Sequence, residues 1–326
     1  MISLKDKKIL FITTKNLDYI RNSQEIEMLK GYTDKLDIIG YTDKSYPKRL
    51  AKVYKDIILR DMSIYDVVFI GFAPQLILPM FNWKFKNNIV IIDFFISVYD
   101  TMVNDRKKIP EKSIPASLCK WLDKACIKSS KKVICDTNAH GDYFAEEFKV
   151  DRRKIKTMYL KADESIYYPR PQIKPDELKD KYVVLYFGSV LPLQGVEVIM
   201  DALKQLRYEE QMYFYFVGPI KDNIEKVYAD NIEYIQWLPQ EELAEYISRA
   251  DLCLAGHFNK EIGKARRTIP GKAYIYELMQ KPMILGDNPA THELFEEDDS
   301  HFFVEMSNPQ ALYDKIMELA SGLTNE

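Results

Sequence analysis

The chain has 326 residues, enough for two domains of ordinary size, and 47% hydrophobic with 29% charged residues is the composition of a globular protein with a substantial core. A formal net charge of −3 argues against nucleic acid as the main partner. No window approaches the roughly 20 apolar residues that span a bilayer, and the apolar run behind the first lysines is too short for a signal-peptide core. A cytoplasmic protein is expected, with any membrane contact peripheral and on the inner face. The cysteines, Cys119, Cys126, Cys135 and Cys253, form no C-x-x-C pair and the four histidines are scattered, so free thiols and no zinc site are expected.

In chain order, short apolar runs at 8–13, 36–40, 66–71, 88–93 and 132–136 predict strands, and helical spacing predicts helices over 23–30, 48–59 and 115–129. Near-continuous apolar strands alternating with amphipathic helices predict a parallel sheet covered on both faces. The segment Tyr168-Pro-Arg-Pro-Gln-Ile-Lys-Pro175 interrupts this pattern with three prolines and reads as a linker. The alternation then restarts, with strands predicted at 182–187, 213–217, 231–235, 251–255 and 282–285. Helices are predicted at 196–206, 240–249, 271–280 and 309–320, the last opened by Asn308 and Pro309 as cap and first position. The expected fold class is α/β, with two Rossmann-like, doubly wound domains over 1–167 and 181–326, a linker over 168–180, and a central cleft between the domains as ligand site. The last helix is free to pack back on the first domain.

Neither G-x-G-x-x-G nor G-x-x-x-x-G-K-[ST] follows any predicted strand, which argues against a dinucleotide oxidoreductase and a P-loop NTPase. The strand at 182–187 instead runs into Gly188 and Ser189, then Gln194 and Gly195 just before a helix whose buried face is Val196, Ile199, Met200, Leu203 and Leu206. Backbone N–H groups and the positive end of a helix dipole make such a turn a phosphate site, with an ordinary strand–turn–helix link as the equal alternative. A second constellation is Lys264-Ala-Arg-Arg-Thr-Ile-Pro-Gly-Lys272. Cations at the start of a helix oppose its dipole, and a bound diphosphate would give Lys264, Arg266, Arg267 and Lys272 a reason to be there. The alternative is a solvated basic loop. Glu277, in the same helix, could accept hydrogen bonds from two ribose hydroxyls.

With these residues in view, the second half resembles the C-terminal domain of the family 4 glycosyltransferases, retaining enzymes of the GT-B architecture. The resemblance runs from about residue 182 to 305 and is most specific over Ile269-Pro-Gly-Lys272, Glu277, Lys281-Pro-Met-Ile-Leu-Gly-Asp-Asn-Pro-Ala290 and Glu293. It implies a nucleoside diphosphate sugar as donor, no cofactor, and a glycan or lipid-linked saccharide as acceptor. It implies that Glu277 holds the donor ribose, that Lys272 with Lys264 and Arg267 meets the diphosphate, and that Trp237 and Leu238 frame the nucleobase. In the first half, the stretch from Asp93 to Arg106 is similar to the acceptor-side loop of the same enzymes. Asp100 and Asp105 are the residues expected to touch the acceptor, beside Asp93 and Arg106, with Arg21 expected to reach the cleft. Asp136-Thr137 and Asp163-Glu164 also fit.

The chain departs from the family pattern in three places. Thr13-Thr14-Lys15-Asn16-Leu17-Asp18 replaces a glycine-rich turn, Ser189 and Gln194 stand where an Arg and a Lys are usual, and Ile269 occupies the first position of the two-glutamate motif. Lys264, Arg267 and Lys272 are therefore the expected sources of phosphate-neutralising charge. No D-x-D motif follows a strand, since Asp34-Lys-Leu-Asp37 has the wrong spacing, and a metal-independent hexosyltransferase is expected. Two other readings stay open: a sugar-nucleotide epimerase, and a catalytically silent subunit that binds a partner transferase. Residues 106–132 are rich in Lys and Arg and include Trp121, which allows a peripheral contact with anionic lipid, against the alternative of a sheet-covering helix with solvated lysines.

Overall fold

A computed structural model describes residues 4–189 and 191–322. The chain forms two compact units, Met1–Lys161 and Ala162–Glu326, so the proline-rich stretch at 168–175 belongs to the second unit.

The first unit is a six-stranded parallel sheet of β1 (Ile9–Ile12), β2 (Leu36–Ile39), β3 (Val67–Ile70), β4 (Ile89–Asp93), β5 (Lys132–Cys135) and β6 (Ile155–Thr157), in the order β2-β1-β3-β4-β5-β6. Its central strands alternate between two cores. Leu10, Ile12, Val68, Ile70, Val90 and Ile92 face one side, and Ile9, Phe11, Val67, Phe69 and Ile91 face the other. Each face is apolar because helices cover both, as the continuous apolar runs predict. The helices are α1 (Ile20–Lys30), α2 (Tyr46–Leu59), the single turn α3 (Leu78–Phe81), α4 (Ile114–Ser129) and α5 (Asn138–Phe148). Ser113 and Thr137 open α4 and α5 by accepting a hydrogen bond from the backbone N–H three residues on.

The second unit is another six-stranded parallel sheet, of β7 (Tyr182–Phe187), β8 (Met212–Val217), β9 (Ile232–Ile235), β10 (Leu252–Gly256), β11 (Met283–Gly286) and β12 (His301–Val304), in the order β12-β11-β10-β7-β8-β9. Helices α6 (Val196–Leu206), α7 (Gln240–Arg249), α8 (Gly271–Leu278) and α9 (Pro309–Gly322) cover it. Helix α9 packs against α6 and buries Leu312 and Ile316 in the core formed by Val184, Tyr186, Phe214, Leu252 and Ile284, so its apolar face is used within its own unit. In this sheet the chain direction of assembly reverses between β7 and β10, and in open α/β sheets a ligand sits outside the carboxyl ends of the strands at that switch point.

Candidate functional site

The carboxyl ends of β7 and β10 bring together the two segments that the sequence picks out separately. Gly188 leaves β7 with φ +147°, and a Cβ there would lie 3.3 Å from Lys272 Cε, so a glycine lets the backbone pass close to that side chain. Gly195 takes the left-handed conformation (φ +67°) that turns the chain into α6, and a Cβ would come within 2.8 Å of the Asn259 backbone nitrogen. Ser189 is exposed, and Gln194 is half-buried.

Lys272, in the first turn of α8, is buried. Its ammonium donates to Gln194 Oε1 and stands 4.7 Å from the centroid of the Tyr186 ring. No carboxylate pairs with it among the described ion pairs. Removal from water pushes its pKa down to about 7. Around it lie buried polar atoms with no well-formed side-chain hydrogen bond: the hydroxyls of Tyr186 and Tyr276 and Nδ1 of His257. His257 follows β10 directly, joined to Gly256 by a cis peptide bond. Burial first, then the charges of Lys272 and Lys264, pull its pKa down to about 3, so its ring is neutral at pH 7. Lys264 and Arg267, both half-buried, come from the short 3-10 turn Gly263–Arg266 and its cap, a turn fixed by the Thr268 hydroxyl donating to the Lys264 carbonyl. Arg266 is exposed.

Glu277 lies further along α8, exposed on its outer side, and accepts a 2.6 Å hydrogen bond from Nε2 of His301. The other ring nitrogen of His301 is 3.0 Å from Asp298 Oδ1, and the same carboxylate accepts from the backbone N–H groups of Ser300 and His301. Burial alone would lower the His301 pKa, but the bonds to Glu277 and Asp298 outweigh it and the pKa is raised. Sequence reading misses His301 because its edge strand, β12, is only four residues long and half-buried at three of them, and is not predicted. Trp237 is exposed and Leu238 half-buried after β9. A cavity of about 290 Å³ lined by Gly218, Pro219, Tyr234 and Ile235 opens just before them at the carboxyl ends of β8 and β9. A larger cavity, about 680 Å³ near Lys181 and Asn231, is at the opposite, amino ends of the strands and holds none of these residues.

The first unit gathers a different set of polar groups at the carboxyl ends of its strands. Arg21 is fully buried and makes a bidentate pair with Asp93, Nε to Oδ2 at 3.1 Å and a terminal nitrogen to Oδ1 at 2.9 Å, while its third arm donates to the Met158 carbonyl. Glu25, also fully buried, approaches Arg21 Nε to 3.7 Å, too far for a hydrogen bond. Burial and the neighbouring Asp93 charge hold its pKa well above the carboxylate range. The guanidinium expected to reach a cleft is thus spent inside the unit. Asp100 and Asp105 bracket one π-helical turn, Asp100–Asp105, and both are buried, while Arg106 is exposed. Asp100 Oδ1 accepts from Asn104 at 2.9 Å.

Asp123, which the sequence shows only as an acid within a basic segment, anchors this loop. It is buried in α4 and accepts from Gln75, from the Ser97 hydroxyl at 2.7 Å and from the backbone N–H groups of Val98 and Tyr99. Burial raises its pKa and these donors pull against it. His140 Nδ1 sits 2.7 Å from Asp136 Oδ1 in the first turn of α5, with its ring at 4.1 Å from that of Phe144. Among the described residues no group of three or more His, Cys, Asp and Glu is arranged to hold a metal ion, and no helix is long and apolar enough to cross a membrane.

Residues 181–322 match the family described as Glycosyl transferases group 1. Spore coat protein SA of Bacillus subtilis is 22% identical over 224 residues, a match that spans 60% of this chain but only 57% of that protein. Among solved structures, sucrose-phosphate synthase from Thermosynechococcus elongatus superposes over 97% of this chain and 90% of its own, with a TM-score of 0.66 at 12% identity. Anabaena Alr3699/HepE in complex with UDP superposes over 96% and 90%, with a TM-score of 0.64 at 14% identity. The chain shares the two-unit GT-B fold of these structures, and its second unit is similar to the glycosyl transferases group 1 family over residues 181–322.

Proposed function

We propose that the protein is a retaining, metal-independent glycosyltransferase that moves a sugar from a nucleoside diphosphate sugar to a glycan or lipid-linked saccharide. The observation that carries this reading is Lys272, a buried ammonium whose hydrogen-bond partner among the described residues is a neutral amide oxygen. Burying a charge without a counter-ion is costly, and an arriving diphosphate would supply the missing anion where the N–H groups of α6 and α8 also point. Lys264 and Arg267 would add charge at the same place. The reading gives Glu277, held by His301, the donor ribose, and gives the edge around Trp237 and Leu238 the base. A resident metal is not needed in this scheme, because the leaving diphosphate is neutralised by side chains and helix termini aimed at it, each worth a few kcal/mol. The retaining outcome rests on the family resemblance. Acceptor contact is assigned to Asp100, Asp105 and Arg106, and a cytoplasmic setting fits the four free thiols.

UDP is the first nucleotide to test, since a protein of like fold binds it. Calorimetric titration of UDP, GDP and ADP into wild type and Glu277→Ala, followed by a turnover assay with the sugar nucleotide of the base that binds, tests the reading. One nucleotide should bind, at least tenfold more weakly to the variant (about 1.4 kcal/mol), and its sugar should be transferred or slowly hydrolysed. Binding without any turnover would favour the silent-subunit reading, for which the replacement of the first motif glutamate by the buried Ile269 speaks. No binding at all would discard the transferase reading and leave that of a silent subunit that binds a partner transferase.

A further inference from the structure

The net charge of −3 hides a strong division between the two units. The first carries 30 Lys and Arg against 20 Asp and Glu, a formal charge of +10, and the second carries 16 against 29, a charge of −13. The basic excess is concentrated around α4, where Lys107, Lys108, Lys112, Lys120, Lys124, Lys128 and Lys131 face Glu111 as the one exposed acid of the segment, because Asp123 is buried under the helix.

The orientation of α4 sets this apart from an ordinary basic surface. Its inward face is Ala116, Asp123, Cys126 and Ile127. At 100° per residue, Ile114, Leu118 and Trp121 lie on the diametrically opposite side, and they are 88%, 55% and 59% exposed. A helix that merely covers a sheet shows polar residues there; this one shows an isoleucine, a leucine and a tryptophan at i, i+4 and i+7. Lys124 and Lys128 border the stripe, and the lysines at 107, 108 and 112 precede its first turn. Lys120 is the exception, held by Glu147. Helix α3 packs beside α4 and carries the exposed Met80, with the exposed Trp83 and then Lys84 just after its end.

The geometry points to a docking face for the surface of an anionic lipid bilayer. The stripe formed by Ile114, Leu118 and Trp121 enters the boundary between headgroups and acyl chains, and the flanking lysines rest on lipid phosphates. The choice of occupant follows from charge complementarity: an apolar stripe with lysines along one edge and before its first turn, in a unit of charge +10, matches a surface that is negative outside and apolar beneath. A second copy of the same face would set lysines against lysines. The inference is independent of the donor chemistry, since no residue in it belongs to the second unit.

The test uses the full chain and sedimentation with phosphatidylcholine vesicles containing 0 or 30% phosphatidylglycerol. Three proteins are compared: wild type, the triple variant Ile114→Ser, Leu118→Ser, Trp121→Ser, and the charge variant Lys124→Gln, Lys128→Gln. All five positions are at least partly exposed and none belongs to the donor site, so UDP affinity and the thermal midpoint serve as controls of folding. The expected result is that wild type binds only the anionic vesicles, that the triple variant binds at least tenfold more weakly, and that the charge variant is weakened and more salt-sensitive. Tryptophan emission of wild type should shift to the blue on binding and be quenched by brominated acyl chains, and the shift should shrink in Trp121→Ser. Failure of wild type to bind anionic vesicles overturns the inference. So does binding that the folded triple variant retains in full, which would leave only non-specific charge attraction. A concentration-dependent dimer that the triple variant abolishes would assign the face to a second copy instead.

Discussion

Lys272→Met separates a diphosphate-binding role for Lys272 from a purely structural one. In the unliganded protein the ammonium is buried, and its pKa falls from 10.5 to about 7. Linkage converts that difference into a cost to the folded state of about 4 kcal/mol at pH 7. Methionine fills a similar volume without the charge, but it leaves Gln194 Oε1 without its donor, which costs about 1–3 kcal/mol. The unliganded variant should therefore be more stable than wild type by roughly 1–3 kcal/mol, a rise in melting midpoint of about 2–4 °C per kcal/mol for a unit of this size. The advantage has a pH signature. The cost is full below the folded pKa and disappears as pH rises toward 10.5, so the difference in midpoint should shrink between pH 7 and pH 9.5. Nucleotide affinity should move the opposite way, falling by roughly 10- to 150-fold through loss of a charge-assisted bond worth about 1.5–3 kcal/mol. Differential scanning calorimetry with and without UDP measures both. A variant that melts lower than wild type and binds UDP as tightly would refute the reasoning, because Lys272 would then be a packing residue.

Three further outcomes follow from the same geometry. Because binding an anion requires the protonated lysine, the UDP association constant of wild type should fall by up to about tenfold per unit from pH 7 to 8.5, and Lys272→Met should give a flatter profile by calorimetric titration. His301→Ala should weaken UDP binding several-fold by releasing Glu277, and Gln should restore part of it by supplying one donor; since the His301 pKa is raised, the stability this contact contributes is complete below about 6.5 and is lost as pH rises through the folded value. In the first unit, Asp93→Asn should cost about 3–5 kcal/mol in urea unfolding by stranding the Arg21 charge, whereas Glu25→Gln should cost far less, because burial and the Asp93 charge disfavour the ionised form of Glu25. Equal losses in those two variants would show that Glu25 is ionised.

The strands were legible because each is an apolar run too short for a helix, and ten of the twelve described are predicted within a residue or two. Strands β6 and β12 escape because they are edge strands of only three and four residues, the first interrupted by the exposed Lys156 and the second half-buried at three of its four positions. Helix α5 escapes because His140, Gly141 and Asp142 interrupt its apolar period. In the site, Lys264, Arg267 and Lys272 are readable as a basic cluster, but only three dimensions reveal that Lys272 alone is buried and that Gln194 faces it. The same limit applies to Arg21, whose partner Asp93 is 72 residues away. Asp123 reads as one acid among lysines, and only the packing of α4 turns it inward and leaves Ile114, Leu118 and Trp121 outside.

The central claim is that a donor diphosphate occupies the carboxyl ends of β7 and β10 above Lys272, with its ribose on Glu277. A crystal structure of the UDP complex tests it most directly. The predicted complex has a phosphate oxygen within about 3 Å of Lys272 Nζ and both ribose hydroxyls within hydrogen-bond reach of the Glu277 carboxylate. A nucleotide bound elsewhere, with Lys272 still facing Gln194 alone, would contradict it.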